Sequence, residues 1–241
     1  MKAAMIKDKI NNEKMYLVWD LPLRIFHGFL VLSIIASWYT SDQDNGLIEY
    51  HLLVGYFALG LIVFRILWGF LGTTHSKFLN FFPSLRKIIS YIQSFKKNEP
   101  LHYAGHNPLG SLMVFFMLTV IFLQAVSGLF MDDDIFTTGP YSGSINSSIE
   151  SVLVYIHRNG FNLILVAVAL HISAVVFYVR VKKQALISAI ITGKKSSKVV
   201  NKKDSISHSK IGLAILISIV VAGFIYWLVV LNAPVIEEYY Y

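Results

Sequence analysis

The stretch VLVYIHRNGFNLILVAVALHISAVVFYVRV, residues 152–181, decides the fold. It is longer and more apolar than the roughly 20 residues an α-helix needs to cross a hydrocarbon core of about 30 Å. Inside it stand two histidines, His157 and His171, fourteen positions apart. At about 1.5 Å of rise per residue they lie roughly 21 Å apart along the axis, and fourteen residues is close to four whole turns, so both rings leave the helix on nearly the same face. Ionisable residues inside a span are costly and mark function.

Four further apolar runs extend the pattern outward: about Leu21–Tyr39, Tyr50–Leu71, Leu109–Met131 and Ile211–Leu231. In lipid each backbone polar group must be satisfied within its own segment, which predicts helices, and the alternation of an outer-membrane barrel is missing. The expected fold is therefore an all-α membrane protein, a four-helix transmembrane bundle plus a fifth C-terminal transmembrane helix. Composition agrees, with 55% hydrophobic and 15% charged residues, values of a polytopic membrane protein rather than a soluble domain. Cysteine is absent, which excludes disulfides, thiolate zinc, iron–sulfur clusters and covalent haem attachment. Histidine is left as the main soft metal ligand.

The net charge of +7 does not point to nucleic acid, because the charges sit in short segments between spans and no DNA- or RNA-binding motif is present. Lys2, Lys7, Lys9 and Lys14, then Lys77, Arg86, Lys87, Lys96 and Lys97, then Lys182, Lys183, Lys194, Lys195, Lys198, Lys202, Lys203 and Lys210 all fall on one side of five spans. The other side carries Asp42, Asp44, Glu49, Asp132, Asp133, Asp134, Glu150, Glu237 and Glu238, with Arg158 as its basic residue. The positive-inside rule then places the N-terminus in the cytoplasm and the C-terminus outside, and a bacterial inner membrane is expected. The polar N-terminal tail and long first run read as an uncleaved anchor. After Pro83, Ser84 suits an N-cap, and Leu85, Ile88, Ile89, Ile92 and Phe95 recur at helical spacing among basic residues, predicting a short amphipathic helix on the inner membrane surface. The Lys- and Ser-rich segment 194–210 reads as a flexible basic cytoplasmic linker.

Depth pairs the histidines. His27 lies about five residues into the first helix, roughly 8 Å from its inner end, and His171 about nine residues before Arg180, roughly 13 Å from the same side. His51 opens the second helix at the outer surface, and His157 is about five residues into the fourth from that surface. Two depth-matched pairs suit two haems, one above the other, with a histidine nitrogen on each face of each iron. A lone histidine would be explained more simply by a bond to a neighbouring carbonyl. His75, His102 and His208 lie in polar connections, where solvated histidines are ordinary. His106 precedes Asn107 as N-cap and Pro108 at the first helical position, and it has no depth partner, so it is not expected to bind haem. Arg24, Arg65 and Arg158 stand at levels where a guanidinium can meet haem propionates bidentately; for Arg24 and Arg158 a snorkelling interfacial side chain is an equal reading. Trp19, Trp38, Trp68 and Trp227 fall near span ends, as an interfacial belt would place them.

The residues Val18-Trp19-Asp20-Leu21-Pro22 with His27, the helix start at His51, Gly105-His106-Asn107-Pro108-Leu109-Gly110, Ser127-Gly128-Leu129-Phe130 before Asp132–Asp134, His157-Arg158 with His171, and Ile191-Thr192-Gly193 before Lys194 together resemble the bacterial cytochrome b561 / nickel-hydrogenase b-type cytochrome domain family. The resemblance runs from about residue 15 to the fifth helix, and the tail Glu237–Tyr241 is outside it. It implies a di-haem bundle over residues 1–193, with helices about 21–39, 50–71, 109–131 and 152–181. The linker 194–210, the fifth helix 211–231 and an external tail 232–241 follow. It further implies two noncovalent haem b groups with bis-histidine ligation. Electrons would pass between the membrane quinone pool and a partner redox protein, whether c-type cytochrome, hydrogenase or dehydrogenase, in a respiratory chain. The chain would be an electron-transfer subunit, quinol-linked together with its partner. Asn107 and the first amides of the third helix are suited to bond a quinone oxygen; a plain helix cap is the alternative. The acidic outer face suits a basic partner. The rival is a haem-free transporter or scaffold subunit with proton-relay histidines, against which stand the two-depth pairing and the lack of Pro/Gly-broken helices.

Overall fold

The first amides of a helix have no partner inside it, so a buried helix start needs acceptors supplied from outside. In the computed structural model, which describes residues 14–42, 44, 46–96, 103–132 and 137–234, the chain runs β1 (Met15–Leu17), α1 (Leu21–Thr40), α2 (Ile48–Leu71), α3 (Phe78–Phe81), α4 (Leu85–Lys96), α5 (Pro108–Gly128), α6 (Ser147–Arg180), α7 (Leu186–Thr192), β2 (Lys194–Ser196), a 3-10 turn (Lys202–Asp204) and α8 (Ile211–Tyr226). The end of α8 widens into a π turn over Trp227–Leu231, where Asn232 N donates to Trp227 O. Lys2, Lys7, Lys9, Lys97, His102, Asp133, Asp134, Glu237 and Glu238 lie outside the described residues.

Three caps set the long helices. Asp20 Oδ1 accepts from Leu23 N at 2.8 Å at the start of α1, while Leu21 N donates to Ser209 Oγ at 3.1 Å and Pro22, in the first turn, has no N–H to satisfy. Asn107 Oδ1 accepts from Gly110 N at 2.7 Å ahead of α5. Asn146 Oδ1 accepts from Ser148 N at 2.9 Å, and this cap starts α6 at Ser147, ahead of the apolar run that the hydropathy pattern begins at 152. Helix α5 ends at Gly128 rather than Met131, because the amides of Leu129, Phe130 and Met131 turn back to carbonyls three residues earlier.

Helices α1, α2, α5, α6 and α8 with its π turn are long and apolar enough to cross a membrane. In α6 Ile164 and Ala167 are buried, whereas Leu163, Leu165, Val166 and Leu170 are exposed. An apolar surface of that extent calls for lipid as its solvent. The chain is an all-α, multi-pass membrane protein.

Packing gathers it into two compact units: Met1–Ile25, Trp68–Val114 and His171–Ile211 form the first, and Phe26–Leu67, Phe115–Leu170 and Gly212–Tyr241 the second. The first is organised by Asp20, which is fully buried. Besides Leu23 N, its Oδ1 accepts from Trp68 Nε1 at 3.1 Å, and its Oδ2 from the Thr73 and Ser76 hydroxyls. Trp68 and Trp19 are accordingly core residues and not members of an interfacial belt, since a buried indole N–H needs an acceptor; Trp38 and Trp227 are exposed.

The segment after Gly193 is not a free linker. β2 pairs antiparallel with β1, Leu17 opposite Lys194 and Met15 opposite Ser196. Ile206 N donates to Leu17 O at 2.9 Å, and Lys210 Nζ donates to Leu71 O at the end of α2 and to Gly72 O just after it. Gly193 makes the join: at φ +79° its O accepts Val18 N and Trp19 N, and a Cβ there would lie 2.6 Å from Arg24 Nη1 and from Trp19 O, which excludes any larger residue. Helix α4 starts on Ser84 as expected, with Lys87 N directed at its Oγ. It buries Tyr91, whose hydroxyl meets that of Tyr178 at 3.0 Å; burial, then the Tyr178 contact, pushes Tyr91 well above the usual phenol range. Leu85, Ile89 and Ile92 form an exposed second row. In the second unit α8 lies against α2, where a Cβ on Gly60 would touch Ile225 and Val221, and Tyr141 Oη donates to Leu228 O at 2.9 Å.

Asp20→Ala orphans several buried donors at once and should destabilise the protein by about 2–4 kcal/mol, read as thermal unfolding in detergent; Asp20→Asn, which keeps an acceptor, should lose less. Equal stability of Asp20→Ala and wild type would remove this carboxylate as the organising group.

Candidate functional site

In the second unit α2 carries His51 in its first turn and α6 carries His157. Their ring centres are 6.1 Å apart, with planes at 82°. His51 Nδ1 lies 3.0 Å from Ser37 O on α1, and His157 Nδ1 lies 3.0 Å from Gln124 O on α5. A carbonyl can only accept, so each Nδ1 carries the proton, and each Nε2 is left as a lone-pair donor for a metal. A metal held between two imidazoles at about 2.0–2.1 Å from each nitrogen separates the ring centres by roughly 6 Å. A carbonyl on the far nitrogen is also the usual support of a metal-bound histidine.

The surroundings fit a flat, bulky group. Gly55 lies one turn from His51 on the same face of α2, and no atom of another element among the described residues lies within 4 Å of where its Cβ would stand. On α5 a Cβ at Gly128 would come 2.8 Å from His157 Cε1, so that helix needs glycine to lie against the ring. Among the described residues no three His, Cys, Asp or Glu side chains gather as a metal cage. Two histidine nitrogens suit an iron that brings its own four nitrogens, as in haem.

The other expected residues are placed as follows. His27 is exposed on α1 in the second unit, and His171 is half-buried on α6 in the first. Arg65 is 1% exposed within α2. Arg24 is half-buried, its Nη1 against Gly193, and its Nε is buried with no hydrogen-bond partner among the described residues. Arg158 is exposed. Asn107 spends its Oδ1 on the α5 cap, so its Nδ2 is the atom with which it can serve a ligand.

Three residues of the first unit take positions the sequence pattern did not suggest. His106 is not merely a helix preface: its ring centre is 4.7 Å from those of Trp19 and Phe81. His75 is not simply solvated, since its Nε2 lies 2.6 Å from Asp204 O; His208 is exposed, beside Ser207. Lys195 donates to Tyr103 O at 3.1 Å and Ala104 O at 2.8 Å, and stands 5.6 Å from the Trp19 ring centre. Lys195 thereby fastens the segment that leads to Asn107. The partners are some 90 residues apart in the chain, and only the glycine at 105, whose Cβ would press on His75 Nδ1 at 3.1 Å, hints at a tight approach.

Residues 18–193 match the family described as prokaryotic cytochrome b561. Relatives include proteins named probable Ni/Fe-hydrogenase B-type cytochrome subunit. The one from Rhizobium leguminosarum bv. viciae is 26% identical over 220 residues, covering 77% of this chain and 90% of the relative. That from Bradyrhizobium diazoefficiens is 28% identical over 210 residues, 74% of this chain and 85% of the relative. That from Cupriavidus necator is 24% identical over 216 residues, 75% and 87% respectively. No solved structure matches the chain.

Burial brings the Lys195 ammonium down from 10.5 to about 8. Between those values the unfolded chain holds a proton that the folded chain has released, so this residue's contribution to stability is flat below about pH 8 and rises with pH above it. The difference in melting temperature between wild type and Lys195→Met should therefore grow in favour of wild type from pH 7.5 to pH 10. A difference that stays constant or shrinks would contradict the burial of this ammonium.

Proposed function

The chain belongs to the prokaryotic cytochrome b561 family, and from that membership we propose a transmembrane di-haem wire between the quinone pool and a partner redox protein. It is a membrane b-type cytochrome of electron transport, and its cofactor is haem b. The observation that carries the finer reading is the His51–His157 pair, 6.1 Å between ring centres and each Nδ1 tied to a backbone carbonyl.

Haem supplies a reversible one-electron iron couple when bound. His51 and His157 would hold the outer haem through their free Nε2 atoms, and the group would supply one-electron transfer there. His27 and His171 hold the inner haem, an assignment that rests on their depths along α1 and α6. Arg24, Arg65 and Arg158 meet the propionates; the deep burial of Arg65 and the Nε of Arg24, without a hydrogen-bond partner among the described residues, favour charge-assisted bonds to carboxylates there. Residues 1–193 form the di-haem unit, 194–210 fold back onto the N-terminal strand, and α8 is an added span ahead of the external tail 232–241.

The distribution of Lys and Arg supports a cytoplasmic N-terminus and an outer, periplasmic C-terminus in a bacterial inner membrane. The names of the relatives support a hydrogenase as the partner; a basic c-type cytochrome would suit the acidic outer face. Quinone docks at the start of α5, where Asn107 Nδ2 donates to a quinone oxygen.

In reconstituted vesicles, quinol reduces the haems of wild type, and Asn107→Asp, which keeps the cap but not the amide donor, should slow that reduction about tenfold with both haems still bound. Asn107→Ala should do the same. An unchanged rate in both variants would remove this quinone site.

A further inference from the structure

We propose that Gln124 is a positioning residue for the outer haem: its amide locks α5 to α6 at His157 and so fixes the direction in which that imidazole faces His51. The inference rests on the reading of His51 and His157 as haem ligands.

One turn of α5 collars His157. The ring gives its Nδ1 proton to the backbone carbonyl of Gln124 at 3.0 Å, and the side-chain amide of Gln124 gives an Nε2 proton to the backbone carbonyl of His157 at 2.9 Å. The side chain of each residue thus holds the main chain of the other. The first bond alone would let the ring swing with any slide or rotation of α6; the second stops that motion at the residue that carries the ring. Ser127, fully buried, adds a bond from its Oγ to Gln124 O at 3.0 Å and comes 3.4 Å from His157 Nδ1.

The amide has one way to sit. Its Oε1 is buried and has no hydrogen-bond partner among the described residues; turned over, that oxygen would face the His157 carbonyl, acceptor against acceptor. Its place is cut from α6 by Gly160, where a Cβ would run into Gln124 Oε1. Glycine in the middle of a helix is unfavourable, and here the gain is room for the lock. Gly128 does the same for the ring itself from the side of α5. Gln124, Gly128, His157 and Gly160 therefore form one fitting in which two absent Cβ atoms admit one amide and one imidazole. A carbonyl that holds the Nδ1 proton also sets how basic the free Nε2 is.

The test uses the full chain in membranes, with low-spin ferric EPR as readout, because the position of that signal depends on the angle between the two axial imidazole planes. The outer signal is the one lost in His51→Ala. Gln124→Ala should shift or abolish the outer signal and leave the inner one where it is. Gly160→Ala, on the other helix, should reproduce that change, and the double variant should look like Gln124→Ala alone, since the added methyl then has no amide to displace. The inference is overturned by an unmoved outer signal in Gln124→Ala, by equal movement of both signals, or by an outer signal that moves further in the double variant than in Gln124→Ala alone. Retention of both signals in His51→Ala and in His157→Ala would overturn the ligand assignment itself, a failure distinguishable from the other three.

Discussion

An imidazole in an apolar interior must satisfy one nitrogen before it can offer the other. In the second unit that requirement is met twice with helix carbonyls that already serve their own helices. Ser37 O accepts Ser41 N, just past the end of α1, and also takes His51 Nδ1. Gln124 O does the corresponding service for His157. Each histidine is thus oriented by a helix other than its own, so α1, α2, α5 and α6 all contribute to one pair. A four-helix bundle is the smallest arrangement in which two ligand helices can each have a separate supporting helix, and the proposed ligands and the fold are in this sense one design.

The first unit meets the same cost with a carboxylate. Asp20 gathers a helix-start amide, an indole and two hydroxyls, tying the start of α1 to the turn that follows α2. Immediately before it, β1 takes β2 as partner, and Gly193 delivers one carbonyl to two successive amides. Lys195 extends the same construction toward Asn107. Residues from the beginning, middle and end of the family match therefore close one compact unit, to which Asn107 of the proposed quinone site belongs.

What was legible in the sequence was what local chemistry writes there. Apolar runs of membrane length gave five helices, and Ser84 and Asn107 gave their caps because a cap is read from residues two or three positions away. Depth along the chain pairs His51 with His157, and a regular helix converts depth directly into distance. What could not be read depended on contacts distant along the chain. The role of Asp20 is not legible in the sequence, since Trp68, Thr73 and Ser76 are some fifty residues on. Segment 194–210 looked like a linker because its composition is that of one, and only pairing with β1 gives it structure. Trp68 carried the signature of an interfacial residue because position near a span end cannot reveal a buried acceptor. Gln124 and Gly160 gave no signal at all: a glutamine and a glycine in apolar runs become meaningful only once the two helices are side by side.

The most direct measurement is haem b per chain, by pyridine haemochrome, in purified wild type and in single alanine variants of the four intramembrane histidines. Two haems are expected in wild type, and one after loss of any of His27, His51, His157 or His171. Colourless protein from cells well supplied with haem, or an undiminished two haems in the variants, would contradict ligation by these side chains.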